Sequence, residues 1–369
     1  MEFRVFLEKM NKLKASDLFV TVGRPICVKV NYNIINLTED KLTPEQTKNI
    51  AFSLMNEEQK QDFLKSREFN FALQEDSLGR FRINVFVQRS YIGAVLRRIE
   101  TKIPTLENLN IKSNIADFAM AKRGLIVVAG ATGTGKSSTL AAMVGYRNSN
   151  SIGHIVTIED PIEYVHEHQG CIVTQREVGV DTESFGIALK NTLRQAPDVI
   201  LLGEVRSDDT MSYAINFAET GHLCLITLHA NNANQALDRI INFFPPARHH
   251  QVWSDLSLNL RAIIAQQLLP TKDGKGLIPA VEILVNTPVV ADNIKNGEVR
   301  LLKDFMFKGT EQGMQTFDQS LFQLYKAGKI TYDDALRHSD SANELRLMIK
   351  LDRGAGTDSS LNGIGLQDR

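Results

Sequence analysis

Cysteine is scarce in this sequence, and the cysteines that occur are isolated from one another. Cys27, Cys171 and Cys224 make an odd number, and no two of them have the C-x-x-C spacing of a zinc or redox site. The pattern predicts reduced, mostly buried thiols, and it argues against a fold stapled by disulfides or by zinc. Such cysteine usage is typical of a cytoplasmic protein.

Long apolar runs are also missing. No stretch approaches the roughly 18 consecutive apolar residues of a membrane-spanning helix. The start of the sequence, Met1-Glu2-Phe3-Arg4, carries an acid and has no long apolar core behind it, which argues against a signal peptide. We therefore expect a cytoplasmic location.

An excess of either charge is absent as well. The 42 basic and 43 acidic residues give a formal net charge of −1, so no global basic field indicates a nucleic-acid partner. The composition, 43% hydrophobic and 23% charged, is that of a globular protein, and 369 residues favour two domains of ordinary size.

The most informative segment present is a glycine-rich loop. Residues 130–137 read GATGTGKS and fit the pattern G-x-x-x-x-G-K-[ST], after the apolar run 125–129 and before a helix-forming stretch at 138–143. That order of strand, loop and helix predicts a nucleoside triphosphate site, because the glycines let backbone N–H groups turn toward phosphate oxygens. Lys136 would reach the β- and γ-phosphates, and Ser137 would offer its hydroxyl to Mg²⁺. The predicted nucleotide-binding residues are Thr132, Gly133, Thr134, Gly135, Lys136, Ser137 and Ser138.

The first hundred residues predict a small mixed α/β unit. Apolar residues recur at helical spacing through 3–13, and alternation through 26–30 predicts a strand. Thr43 and Gln46 predict a capping box at a helix start. Further alternation at 69–73 and 81–87 predicts strands in an antiparallel meander with helices on one side. We expect a domain at 1–100, a linker at 101–117, an ATPase domain at 118–350 and a disordered tail at 351–369.

From about residue 118, apolar strands alternate with helices. Near-continuous Val/Ile/Leu runs of this kind predict parallel strands buried on both faces. The chain is expected to turn mostly helical beyond 240, so the fold class is α/β, with a P-loop core of the RecA type after a smaller α+β domain. The predicted strands are 125–130, 154–159, 198–203 and 223–228. The predicted helices include 182–195 and 207–220.

Acidic residues and a histidine follow the predicted strands. Residues 158–163 read IEDPIE, with three carboxylates, and residues 198–204 read DVILLGE, which resembles a Walker B strand that ends in Glu204. Carboxylates at the carboxyl edge of a parallel sheet lie where a nucleotide binds. His229 closes the fourth strand and could sense the γ-phosphate or polarise water there. A solvated acidic loop and a structural histidine are the alternative interpretations of these residues.

Taken together, these motifs resemble those of the secretion-superfamily hexameric ATPases, and in particular the type IV pilus retraction ATPases of the PilT/PilU family. The order and spacing of the P-loop, the acidic box at 158–163, the atypical Walker B segment at 203–206 and the histidines carry the resemblance, which covers roughly residues 1–345. The family implies a PAS-like N-terminal domain, a RecA-like C-terminal domain, a homo-hexameric ring and ATP hydrolysis with Mg²⁺. It also implies pilus retraction at the inner-membrane base, with contacts to the pilus platform protein.

The resemblance assigns roles to particular residues. Glu163 matches the general base, Glu204 the Walker B glutamate near Mg²⁺, and His222 and His229 the histidine pair. Arginines of the N-terminal domain act on the phosphates in this family, and Arg82 and Arg97 match best, although a solvated strand face is the alternative for any one of them. The arginines available in this stretch are Arg80, Arg82, Arg89, Arg97 and Arg98.

Two departures favour the PilU type over the PilT type. Residues 289–295 read VVADNIK where PilT-type motors carry a different segment after Asn-Thr-Pro, and the Walker B segment ends in Ser207 where PilT has Asp. A PilT-type partner is therefore expected, and an ATP-binding scaffold that supports such a motor is the alternative function. A nucleic-acid motor is disfavoured by the neutral charge.

Overall fold

The computed structural model describes residues 3–30, 33–75, 77–99, 102–111 and 114–355, with side chains described as far as residue 352. The chain divides into two compact units. The first contains Met1–Ile103, Ile158–His168 and Val173–Thr192, and the second contains Pro104–Thr157, Gln169–Ile172 and Leu193–Arg369. The acidic box at 158–163 therefore belongs to the same unit as the N-terminal residues.

The N-terminal residues form a six-stranded antiparallel sheet with three helices. Its strand order is β3-β2-β1-β6-β5-β4, so the strands are antiparallel as predicted, but β1 pairs with β6 as well as β2 and the sheet is not one continuous meander. The strands are β1 (Asp17–Val20), β2 (Cys27–Val30), β3 (Asn33–Asn36), β4 (Glu68–Glu75), β5 (Gly79–Gln88) and β6 (Tyr91–Arg98); the helices are α1 (Arg4–Lys12), α2 (Pro44–Ser53) and α3 (Glu57–Ser66).

Local signals explain how these elements begin and which face they bury. The Thr43 side chain accepts from the backbone N–H of Gln46 and the Gln46 side chain accepts from that of Thr43, so the predicted capping box at α2 is confirmed. Along β5, Phe81, Ile83 and Val85 are fully buried, because alternate residues of a strand face one side of the sheet. The arginines of β5 occupy the alternate positions.

After residue 103 the chain forms helices and a second, largely parallel sheet. The elements are α4 (Asn114–Ala119), β7 (Gly124–Ala129), α5 (Lys136–Asn150), β8 (Gly153–Glu159), β9 (Cys171–Glu177), α6 (Phe185–Thr192), β10 (Val199–Leu202), α7 (Asp208–Glu219), β11 (Leu223–Leu228), α8 (Ala233–Asn242), α9 (His249–Asn259), β12 (Leu260–Pro270), β13 (Leu277–Val285), α10 (Pro288–Lys295), α11 (Leu302–Lys308), α12 (Phe317–Lys326), α13 (Tyr332–His338) and α14 (Ala342–Ala355).

The second sheet has the strand order β13-β12-β7-β11-β10-β8-β9. Strands β10, β11, β7 and β12 are parallel neighbours, which confirms the prediction of parallel strands, and β7, β10 and β11 are buried along their whole length. Parallel alignment brings the carboxyl ends of these strands to one edge of the sheet. The predicted mixed α/β fold class, with a parallel sheet after an N-terminal domain, is confirmed.

The region beyond 240 is mostly helical, as predicted, but it also contains a long antiparallel hairpin, β12 and β13, that the sequence did not predict. Continuous apolar strands lack the alternation that would distinguish them from buried helix. Helix α4 lies partly inside the predicted linker, and α14 extends to Ala355, into the range expected to form a disordered tail. The rest of that tail, 356–369, lies outside the described residues.

The three cysteines are buried and form no disulfide, as the sequence predicts. Within the described part of the chain, no helix is both long and apolar enough to span a bilayer.

Candidate nucleotide site

The glycine-rich loop connects β7 to α5 at the carboxyl edge of the parallel sheet. Gly133 and Gly135 have φ values of +80° and +87°, which side chains rarely adopt. A Cβ on Gly130 would lie 2.3 Å from the Thr134 Oγ1 atom and 2.7 Å from the backbone oxygen of Gln266. The three glycines therefore permit a turn that no other residue could form without strain or displacement of its neighbours.

The loop also holds the lysine that the sequence singled out. The Lys136 Nζ atom donates to the backbone oxygens of Gly130 and Ala131 at 2.9 and 2.8 Å. Lys136 is the first residue of α5, where the positive end of the helix dipole lies. Ser137 and Ser138 follow half-buried, and Thr132 is exposed at the tip of the loop. A positive charge, a helix start and a glycine-rich loop together make this a site for an anion.

Gln266 was not predicted from the sequence, although it supports the loop from β12. Its side chain is 3% exposed, and its Oε1 atom accepts a 2.7 Å hydrogen bond from the buried hydroxyl of Thr139 on α5. Its Nε2 atom lies 2.8 Å from where a Cβ of Gly135 would stand. No local motif marks this glutamine; only the occurrence of two glutamines, Gln266 and Gln267, in an otherwise apolar stretch could have drawn attention to it.

Glu204 and His229 meet at the same edge of the sheet. The backbone after β10 places Glu204, and the residue after β11 is His229, whose Nε2 atom lies 2.8 Å from the Glu204 Oε1 atom. The other carboxylate oxygen accepts a 2.6 Å hydrogen bond from Arg206. Thr227 links the two strand ends. Its hydroxyl donates to the backbone oxygen of Gly203, and its backbone oxygen accepts from the N–H of Val205.

The environment keeps the Glu204 carboxylate ionised. Burial alone would raise its pKa, but the hydrogen bond from Arg206 and the charges of His229, Arg206 and Lys136 outweigh that effect, so the pKa lies below the usual value of a glutamate. The influence of Lys136 also shows that the P-loop and the Walker B end are close enough to interact. An ionised carboxylate beside a phosphate site is a ligand that Mg²⁺ prefers.

The two histidines of the predicted pair lie at opposite ends of one strand. His222 precedes β11, and its backbone oxygen accepts from Gly124 at the start of β7. Its ring Nδ1 lies 3.2 Å from the Phe217 oxygen and 3.2 Å from the Thr220 hydroxyl. The six residues of β11 lie between it and His229, so the two are seven positions apart, about 23 Å at roughly 3.3 Å per residue. The structure thus brings His229, but not His222, to Glu204.

The acidic box lies in the first unit, with the N-terminal strands. Glu163 is exposed, while its neighbour Ile162 is buried. The box is attached to β9, since the Glu159 oxygen accepts from the Val178 N–H and the Gln175 side chain donates to the Tyr164 oxygen. Glu177, which the sequence did not single out, accepts from the Ile162 N–H at 3.4 Å.

The two arginines chosen from the sequence face each other across β5 and β6. Arg82 and Arg97 are directly opposite in the register of the two strands. The Arg97 Nε atom donates to the nearly buried carboxylate of Asp17 at 2.8 Å, and the Arg97 side chain is otherwise exposed. A third arginine, Arg80, lies 3.5 Å from Glu177 and 3.7 Å from Asp181. Arg80 therefore lies near two carboxylates of its own unit, and Arg97 binds one.

A permanent metal centre is not evident in the part of the chain that the structure describes. There, no group of three or more His, Cys, Asp or Glu residues could hold a metal ion. Mg²⁺ commonly binds through one or two protein oxygens together with phosphates of the substrate. The Ser137 hydroxyl and the Glu204 carboxylate fit such a nucleotide-dependent site.

Comparison with known proteins agrees with this architecture. The family described as type II/IV secretion system protein matches residues 5–316. The type IV pilus ATPase PilU of Pseudomonas aeruginosa is 61% identical over 370 residues, which cover 100% of this chain and 97% of that protein. The type IV pilus retraction ATPase PilT of the same organism is 38% identical over 335 residues, which cover 91% of this chain and 97% of PilT.

Solved structures give the same result. The crystal structure of the pilus retraction motor PilT with bound ADP superposes with a TM-score of 0.88 at 39% identity, over 94% of this chain and 100% of that one. Fold and sequence thus define the class, a secretion-system P-loop ATPase. The chain belongs to the PilT/PilU family of type IV pilus ATPases, which confirms the resemblance drawn from the motifs.

Proposed function

We propose that this chain binds ATP with Mg²⁺ at the glycine-rich loop and hydrolyses it. The observation that carries the proposal is the convergence of three strand ends at one edge of the parallel sheet: the loop after β7, Glu204 after β10 and His229 after β11. Phosphoryl transfer to water requires a loop that binds phosphate and a carboxylate that holds Mg²⁺, and here a histidine lies beside that carboxylate. Residues 132–138 bind the phosphates in this proposal.

Each predicted residue then has one task. Lys136 binds the β- and γ-phosphates, and Ser137 and Glu204 hold Mg²⁺, which neutralises charge on the phosphates. Glu163 accepts the proton of the attacking water, and His229 orients Glu204. Arg82 and Arg97 act on the phosphates; Arg97 is the better prepared, because Asp17 holds its Nε atom and leaves the rest of an exposed side chain available.

The hydrolysis drives, or assists, retraction of type IV pili. Identity of 61% to PilU along the whole chain and a TM-score of 0.88 to the retraction motor PilT support this assignment. The working assembly in this proposal is a homo-hexamer in the cytoplasm, at the inner-membrane base of the pilus. It acts on the pilus platform protein there, beside a PilT-type retraction ATPase.

A second candidate is an ATP-binding scaffold that supports a PilT-type motor. The segment that favours it is 289–295, which forms most of α10 and departs from the sequence of PilT-type motors. The two candidates differ in whether this chain turns over ATP by itself.

Steady-state ATPase activity of the purified chain, alone and mixed with a PilT-type motor, tests both candidates when the mass of the assembly is measured alongside. Mg²⁺-dependent turnover by a hexamer alone, lost in Lys136→Ala, is the expected result. An unchanged rate in Lys136→Ala would refute hydrolysis at this loop. Turnover that appears only with the PilT-type motor would favour the accessory role. Absence of added turnover both with and without that motor would favour the scaffold.

A further inference from the structure

The acidic box is irregular backbone, and such backbone needs partners to hold one conformation. Residues 160–163 lie outside any helix or strand, so neither an intrahelical nor a ladder hydrogen bond fixes them. Buried backbone groups in such a segment must be paired by side chains, by other backbone or by water. The segment that carries Glu163 therefore depends on hydrogen bonds from groups outside it.

Two side chains of β9 perform this task from either side of Glu163. Gln175 and Glu177 are two residues apart on one strand and therefore point to the same face of it. Glu177 accepts from the N–H of Ile162, the residue before Glu163, and Gln175 donates to the oxygen of Tyr164, the residue after it, at 2.9 Å.

Gln175 uses its whole amide in this arrangement. Its Nε2 atom also lies 3.3 Å from the Glu159 Oε1 atom at the start of the box, and its Oε1 atom accepts a 2.7 Å hydrogen bond from the backbone N–H of His166. One glutamine thus contacts the segment on both sides of Glu163. The Glu163 side chain itself remains exposed.

Glu177 is anchored in turn by an arginine of β5. Its side chain is 2% exposed, and Arg80 lies 3.5 Å from the same Oε2 atom that accepts from Ile162. Asp181 completes the cluster, because its Oδ2 atom accepts from the Glu177 N–H at 2.9 Å. Removing one member of a buried ion pair is costly, so this anchor resists displacement.

We propose that Gln175 and Glu177 are positioning residues, which hold the backbone on both sides of Glu163 so that its carboxylate is presented in one orientation. The inference rests on the proposed function, in which Glu163 activates water. A misplacement of about 1 Å at a catalytic group costs about 10²-fold in rate, so loss of either anchor lowers kcat. We expect nucleotide affinity to change little, because the hydrogen bonds of these two side chains go to the acidic box and to the residues that follow it.

The test uses Gln175→Met and Glu177→Leu in the full-length chain. Each is expected to lower kcat at least about tenfold with less than about twofold change in the Kd of ATP. Gln315→Met is the matched control, because Gln315 is a buried glutamine whose amide donates to a backbone oxygen, that of Val281, far from the acidic box in sequence. Its kcat should equal that of the unaltered chain.

Two further measurements separate positioning from a merely structural role. Hydrogen exchange of the amides at 160–166 should accelerate in Gln175→Met and not in Gln315→Met. In a Glu163→Gln background, Gln175→Met should cause no further loss of kcat, because residues that act through one group are not additive.

Faster exchange with an unchanged kcat, or an additive loss in the Glu163→Gln background, would overturn the inference. Unchanged exchange at 160–166 would overturn it as well. These results leave the proposed function intact as long as Lys136→Ala abolishes turnover, whereas turnover that survives Lys136→Ala refutes the function itself.

Discussion

The Nε2 atom of His229 lies 2.8 Å from the Oε1 atom of Glu204, although 25 positions separate the two in the sequence and each follows a different strand. The two strands are parallel neighbours, so their carboxyl ends are adjacent. Arg206 holds the second carboxylate oxygen at 2.6 Å. Glu204 is thereby fixed in orientation and kept ionised.

Replacement of His229 should change the pH dependence of hydrolysis. His229 is one of the groups that lower the pKa of Glu204, so His229→Ala raises that pKa. The reaction needs the ionised carboxylate, and the acidic limb of the kcat/KM profile should therefore move to higher pH, with kcat reduced about tenfold or more. The acidic limb should move in His229→Ala and stay in place in His250→Ala, which replaces an exposed histidine on α9. Identical acidic limbs would contradict the assignment.

A methyl group on Gly130 should weaken nucleotide binding. The new Cβ would lie 2.7 Å from the backbone oxygen of Gln266, which cannot rotate away, so the loop must shift. We expect Gly130→Ala to weaken ATP binding at least about tenfold, which corresponds to about 1.4 kcal/mol. Calorimetric titration checks this against Gly276→Ala, where the nearest atom to the new Cβ is 3.8 Å away. Equal affinities in the two variants would show that the loop adapts.

The buried hydrogen bond between Thr139 and Gln266 should stabilise the unit that carries the loop. Gln266→Leu leaves the fully buried Thr139 hydroxyl without its acceptor, at a cost of about 1–3 kcal/mol. The double variant Thr139→Val, Gln266→Leu removes both polar partners and should lose less than the sum of the single variants. Denaturant unfolding of the four chains measures the coupling. Strict additivity would mean that the bond contributes nothing.

Glu282 should make stability depend on pH near neutrality. This carboxyl on β13 is 1% exposed, and burial is the main reason why its pKa rises from 4.5 to about 7. The charge of Asp340 also raises the pKa, whereas the hydrogen bond from the Ala233 N–H and the charge of Lys303 lower it. The pKa of Glu282 is higher in the folded state than in the unfolded state. Its contribution to the free energy of unfolding is therefore fully present below about pH 4.5 and is lost as the pH rises through about 7. The loss is at most about 3 kcal/mol.

The matching experiment compares Glu282→Gln with the unaltered chain by thermal unfolding between pH 5 and pH 8. The variant keeps a side-chain oxygen for the Ala233 N–H but cannot ionise, so its stability should fall less over this range. Glu298→Gln, at an exposed glutamate, should retain the slope of the unaltered chain. If the stability of Glu282→Gln falls between pH 5 and pH 8 as steeply as that of the unaltered chain, then Glu282 does not titrate in this range.

Part of this molecule is determined by contiguous residues. The glycine-rich loop and the capping box at Thr43 are short patterns whose physical requirements are met within a few residues, so the sequence predicted them correctly. The apolar runs that became β7, β8, β10 and β11 were identified for the same reason. Family membership followed from the order of these motifs along the chain.

Other features depended on the tertiary structure, because they join residues far apart in the chain. Thr139 meets Gln266 across 127 positions, and no local pattern announces either partner. Pairing of β1 with β6, the contact of His229 with Glu204 and the support of Glu163 by Gln175 are likewise set by strand order and register. Contiguous sequence thus determined which chemical groups the protein carries, whereas only the folded sheets decided which of those groups meet, since side-chain interactions extend over a few ångströms and depend on the packing of the whole chain.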